Sequence, residues 1–128
     1  MGDDALIRMR FGREPWWASY ARRAVHDCLD GDTPTETMRN AVLLTSELVT
    51  NAVTHTVADG ELVAYYDGLR KRLRIEVRDD SHLLPQMRDR FTAGRVGGLG
   101  LRLVDQLASS WGTMATATGK TVWFELTW

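Results

Sequence analysis

Between Arg72 and Asp79 the chain alternates Arg72, Arg74, Glu76 and Arg78 with Leu73, Ile75 and Val77. Successive side chains of a strand point to opposite faces, so this segment reads as a strand with one buried and one wet face. A sheet built on such a strand carries its helices on one face only. The neighbouring segment Glu61–Asp67 reads as a partner strand, and a short turn at Gly68 makes the two an antiparallel hairpin. Ala5–Phe11 alternates Leu6, Arg8, Arg10 with Ile7, Met9, Phe11 and adds a further strand. Thr113–Thr118 and Lys120–Thr127, turned at Gly119, supply two more. In the last of these, Val122, Phe124 and Leu126 alternate with Trp123 and Glu125, which makes Trp123 the tryptophan expected to be exposed.

Three helices fill the gaps. Pro15 opens one that runs to about Leu29, because proline is tolerated in a first helical turn. Thr33 or Thr35 caps a longer one reaching about Thr56. Its apolar positions Val42, Leu44, Leu48, Val49, Ala52 and Val53 cover about half the circumference at helical spacing. A third is expected from about Gly98 to Ser110, after a loop from Ser81 to Gly97 that would cover a site. The fold class that follows is α/β (α+β). It is a two-layer sandwich, a mostly antiparallel sheet with helices on one face, formed as a single domain over 1–128.

Composition narrows the function. The 128 residues are 44% apolar and 26% charged, ordinary values for a globular domain with its own core. A formal net charge of -1 gives no electrostatic case for nucleic acid or a polybasic membrane contact. The single cysteine, Cys28, excludes an internal disulfide framework and a cysteine-based zinc site. No stretch approaches the roughly 20 apolar residues of a membrane span, and the first residues do not read as a signal peptide, so a cytoplasmic location is expected.

Three segments could carry chemistry. In Glu47-Leu48-Val49-Thr50-Asn51-Ala52-Val53-Thr54-His55, Glu47 and Asn51 stand four apart, stacked at the rim of the apolar stripe. The amide oxygen is a hard ligand suited to magnesium, and the carboxylate could orient or deprotonate a hydroxyl. An ordinary polar rim on an amphipathic helix is the competing reading, and for His55 a structural role at the helix end. Val77-Arg78-Asp79-Asp80-Ser81 ends a strand in a carboxylate able to accept a hydrogen bond from a base amino group. A capped strand end explains it equally. Gly94-Arg95-Val96-Gly97-Gly98-Leu99-Gly100-Leu101 precedes a helical pattern. Glycines there let backbone approach phosphate at a helix N-terminus, although a flexible connector has the same composition.

In this order the three segments resemble the GHKL ATPases, the Bergerat-fold, histidine-kinase-like family. Glu47–His55 resembles its N box, Val77–Ser81 its first glycine box, and Gly97-Gly98-Leu99-Gly100 its second. The branch resembled is that of small actinobacterial-type anti-sigma factors that are serine/threonine-protein kinases. The text carrying this is Ser46–Val53, Leu101-Arg102-Leu103-Val104-Asp105 and Gly119–Leu126. The resemblance implies ATP and Mg2+ held between the long helix and the loop. Asn51 would bind the metal, Asp79 read the adenine amino group, and Glu47 act as the base for a serine hydroxyl. The nucleotide-binding set would be Asn51, His55, Asp79, Gly97, Gly98, Leu99, Gly100, Leu101 and Thr121. Implied partners are a sigma factor and a STAS-type antagonist, with a homodimer possible and no direct nucleic acid or membrane contact. The alternative is a nucleotide-gated protein-binding module without significant kinase activity. Two departures stand out. Ser81 and Leu83 hold positions usually glycine in the first glycine box, and Lys120 stands where many members have threonine, with Thr121 next.

Overall fold

A computed structural model describes residues 5–29, 31–55, 59–79 and 96–128. The chain runs β1 (Ile7–Phe11), α1 (Trp17–Cys28), α2 (Thr35–His55), β2 (Gly60–Asp67), β3 (Arg72–Asp79), α3 (Val96–Leu107), β4 (Ser110–Ala115) and β5 (Lys120–Thr127). The five strands form one sheet in the order β1-β2-β3-β5-β4, and every neighbouring pair is antiparallel. Against this sheet pack the helices, with α2 between α1 and α3. This is the α+β sandwich expected from the alternation in β3.

The core lies where the two layers meet. Leu73, Ile75 and Val77 of β3, with Val122, Phe124 and Leu126 of β5, are buried against Ala41, Leu44, Leu48, Val49 and Ala52 of α2. The other face of the sheet is covered by its own charged side chains. Arg74 bonds to Glu76 and Glu125, while Arg78 bonds to Glu76 and reaches Glu61 and Tyr65. The Arg74 guanidinium also lies 4.1 Å from the centroid of the Trp123 ring. Trp123 is therefore half-covered, and Trp16 is instead the exposed tryptophan, at 54%. Alternation placed Trp123 on the outer face correctly but did not show the cross-strand cation above it.

Two further boundaries differ from expectation. Helix α3 begins at Val96, two residues before the start expected near Gly98, so Gly97 lies inside it and not in the preceding loop. It ends at Leu107, and Ser110–Gly112 belong to β4, where Gly112 faces the Trp123 ring. A Cβ on Gly112 would stand 3.0 Å from that ring, so the glycine is what lets the strand continue past the indole. The β2–β3 turn places its one left-handed residue at Lys71 (φ 54), and Asp67 Oδ1 accepts the Arg70 N–H at 3.0 Å.

Candidate functional site

One end of the sheet gathers most of the expected site residues. Gly60, Asp79 and Lys120 are in register there across β2, β3 and β5. Since α2 ends at His55 and β2 starts at Gly60, the same end receives the last turns of α2, with Asn51 one turn from the helix terminus. At the opposite end, α3 stops at Leu107 and β4 starts at Ser110, so α3 runs back over the sheet from the Asp79 end. The start of α3, the end of β3 and the end of α2 thus converge.

Helical geometry sets which side of α2 faces this space. Ser46 accepts a hydrogen bond from Arg22 of α1 at 2.9 Å, which marks one flank as the α1 side. Glu47 and Asn51 lie about 100–140° further round, on the flank where α3 packs. Both are half-buried. The Asn51 amide oxygen is fully buried, and its side chain makes contacts of its own. Partial burial removes water from the Glu47 carboxylate and raises its pKa above the ordinary glutamate value. A carboxylate so placed is a stronger proton acceptor than an exposed one.

Asp79 ends the inward row of β3 that begins with Leu73, and it is 6% exposed. Lys120 starts the matching row of β5 and is equally buried at 6%. The Lys120 Nζ donates to Asp79 Oδ1 at 3.1 Å and lies 2.9 Å from Oδ2. This two-oxygen contact was not expected. It was readable, however, because Lys120, Val122, Phe124 and Leu126 share one parity in the strand. The same parity sets the position of Thr121. It pairs with Arg78, so its side chain stands on the sheet face opposite Asp79, and Lys120 takes the place beside the carboxylate.

Gly97, Gly98, Leu99, Gly100 and Leu101 all lie in the first turns of α3, and Leu101 is buried. An N-terminal turn presents unbonded N–H groups and the positive end of the helix dipole. The side-chain surroundings of His55 and of residues 96–100 lie outside the described structure, as do Ser81, Leu83 and the rest of residues 80–95. Among the described residues no three His, Cys, Asp or Glu side chains cluster as a metal site. No helix among them is long and apolar enough to cross a membrane. Cys28 is half-buried, and loss of water pushes its thiol up to about 11, which leaves it a poor nucleophile.

The family model for the histidine kinase-like ATPase domain matches residues 15–126. The chain belongs to the histidine kinase-like ATPase family. Membership implies ATP binding. Two solved structures of the blue-light activated histidine kinase of Erythrobacter litoralis EL346 share the fold. One has a TM-score of 0.60 at 23% identity, covering 87% of this chain and 40% of that one. The other, of its histidine kinase domain, has a TM-score of 0.58 at 22% identity, covering 99% and 64%. This ATPase-family chain thus spans less than two thirds of either structure. No curated protein matches the sequence.

Proposed function

We propose that this ATPase-family domain is an anti-sigma factor that uses MgATP to phosphorylate a serine on a STAS-type antagonist. The observation that carries the kinase reading is Glu47. It sits half-buried one turn before Asn51, on the flank of α2 facing α3, with its proton affinity raised by burial. Asn51 and Glu47 offer hard oxygen donors, the kind that suits magnesium when phosphates and water complete its shell. Asn51 would hold the ion, which when bound would neutralise charge on the β- and γ-phosphates. The start of α3, Gly97 to Leu101, would hold the phosphates through backbone N–H groups. Asp79 would accept from the base amino group.

In the transfer step the substrate serine oxygen forms a bond to the γ-phosphorus as the bond to the β-phosphate oxygen breaks. Glu47 takes the hydroxyl proton, and ADP leaves with the electron pair. Anti-sigma activity is the pairing of this kinase with sequestration of a sigma factor. It is supported by the N-box text Ser46–Val53 and the closing Gly119–Leu126.

The test is incubation with magnesium, γ-labelled ATP and candidate antagonists. Label should appear on antagonist serine and fall at least about 100-fold in Glu47→Ala, the scale of a lost general base. Transfer unchanged by Glu47→Ala and Asn51→Ala would overturn the kinase assignment. ATP binding without transfer to any partner would leave the second reading, a nucleotide-gated binding module.

A further inference from the structure

Every inward position of β3 before Asp79 and of β5 after Lys120 is apolar: Leu73, Ile75, Val77, then Val122, Phe124, Leu126. The rows end in an ion pair whose side chains are 7% and 2% exposed. Apolar residues would close the core at no electrostatic cost, because burying two charges removes their hydration and their attraction only partly restores it. Stability therefore gives no reason for the pair. It lies instead at the sheet end where the base would be read.

The chemistry of the pair differs from that of an aspartate alone. A lone carboxylate presents only acceptors. It accepts from the 6-amino group of adenine and repels the 6-carbonyl oxygen of guanine or hypoxanthine. Lys120 adds an ammonium at hydrogen-bonding distance from both carboxylate oxygens. An ammonium has three N–H donors, so at least one remains beyond those directed at Asp79. An acceptor and a donor then stand side by side. Adenine meets them with its amino group on Asp79 and N1 on Lys120. A 6-oxopurine meets them with N1–H on Asp79 and O6 on Lys120, and both of those bonds are charge-assisted.

We propose that Lys120 is a specificity-determining residue of the base site, and that it lets the domain accept 6-oxopurine nucleoside triphosphates beside ATP. This rests on the reading of Asp79 as the base-binding carboxylate.

Inosine triphosphate is the probe, since its base differs from that of ATP only in the 6-oxo group and the N1 proton. Its affinity and that of ATP are compared by calorimetry in magnesium for wild type, Lys120→Met and Lys120→Arg. The expected wild-type ratio of dissociation constants, inosine triphosphate over ATP, is within about 10. It should rise by about 10- to 100-fold in Lys120→Met, where O6 loses its charged donor. Lys120→Arg keeps the donor and should keep the ratio near wild type. The ratio compares two ligands on one protein, so a uniform loss of stability cancels from it. If Lys120→Met does not fold, the wild-type ratio decides. A wild-type preference for ATP above about 100-fold, or a ratio unchanged by Lys120→Met, overturns the proposal and leaves ATP binding intact. Binding of neither nucleotide overturns the nucleotide-site reading and the proposal with it.

Discussion

Breaking the Asp79–Lys120 pair from either side should cost far more than removing it whole. The two side chains are 2% and 7% exposed, and Nζ stands 2.9 Å from Oδ2. Lys120→Met keeps most of the aliphatic stem but leaves a buried carboxylate without its ammonium. Asp79→Leu keeps the branched shape but leaves a buried ammonium. Removal of one partner from a buried pair costs roughly 3–5 kcal/mol, a large part of the ~5–15 kcal/mol that holds a domain together. For a chain of 128 residues that corresponds to a fall in Tm of about 10–20 °C. The double variant leaves no unpaired charge and continues both apolar rows to the end of the sheet. It should lie within about 2 kcal/mol of wild type, so the coupling energy of the cycle should exceed about 4 kcal/mol. Urea denaturation followed by circular dichroism, with all four proteins at neutral pH, gives the numbers. Single variants that each lose less than about 1 kcal/mol, or a double variant whose loss equals the sum of the singles, would refute the reasoning.

Three other perturbations follow from the packing. Gly60→Ala would drive a Cβ into the Phe11 ring and to 2.8 Å from the Arg78 carbonyl oxygen. It should cost about 1–3 kcal/mol in urea melts, and a neutral result would mean that β1 and β2 pack less closely than described. Thr45 is fully buried in α2 with its hydroxyl unbonded; Thr45→Val should therefore hold or raise stability by about 1 kcal/mol, and a loss of that size would contradict the burial. Burial would raise the Glu76 pKa, but hydrogen bonds from Arg74 and Arg78 outweigh it and hold the value below the ordinary one. A depressed carboxylate contributes stability that is present above its unfolded pKa, about 4.3, and lost as pH falls through the folded value. The urea midpoint of wild type should thus drop more steeply than that of Glu76→Gln below about pH 5, and parallel acid limbs would remove Glu76 from the cause.

The sheet and the site differ in how far they could be read from sequence. The β3 alternation fixed the side of every residue in that strand, and with it the one-sided helix layer. The same alternation in β5 placed Lys120 inward, yet lysine in such a row is easily passed over because burial of its charge is unfavourable without a partner. That partner is 41 residues away, and only the strand register brings it close. At α3 the helix starts at Val96, slightly ahead of the start expected near Gly98. Each glycine costs about 1 kcal/mol in a helix, but burial of Leu101 and Val104 holds the segment, Gly97 included, helical. At β4 the strand begins at Ser110, ahead of the expected Thr113, and the missing side chain of Gly112 makes room for Trp123. Glu47 and Asn51 were legible as a stacked rim pair. Which neighbour that rim faces became clear only from Arg22 holding Ser46 on the other flank.

The most direct test of nucleotide binding between α2 and α3 is a calorimetric titration of MgATP into wild type and Asn51→Ala. Saturable binding by wild type, weakened at least about tenfold (~1.4 kcal/mol) in an Asn51→Ala protein of matching Tm, is the predicted result. No binding by wild type, or equal affinity in the two proteins, would contradict it.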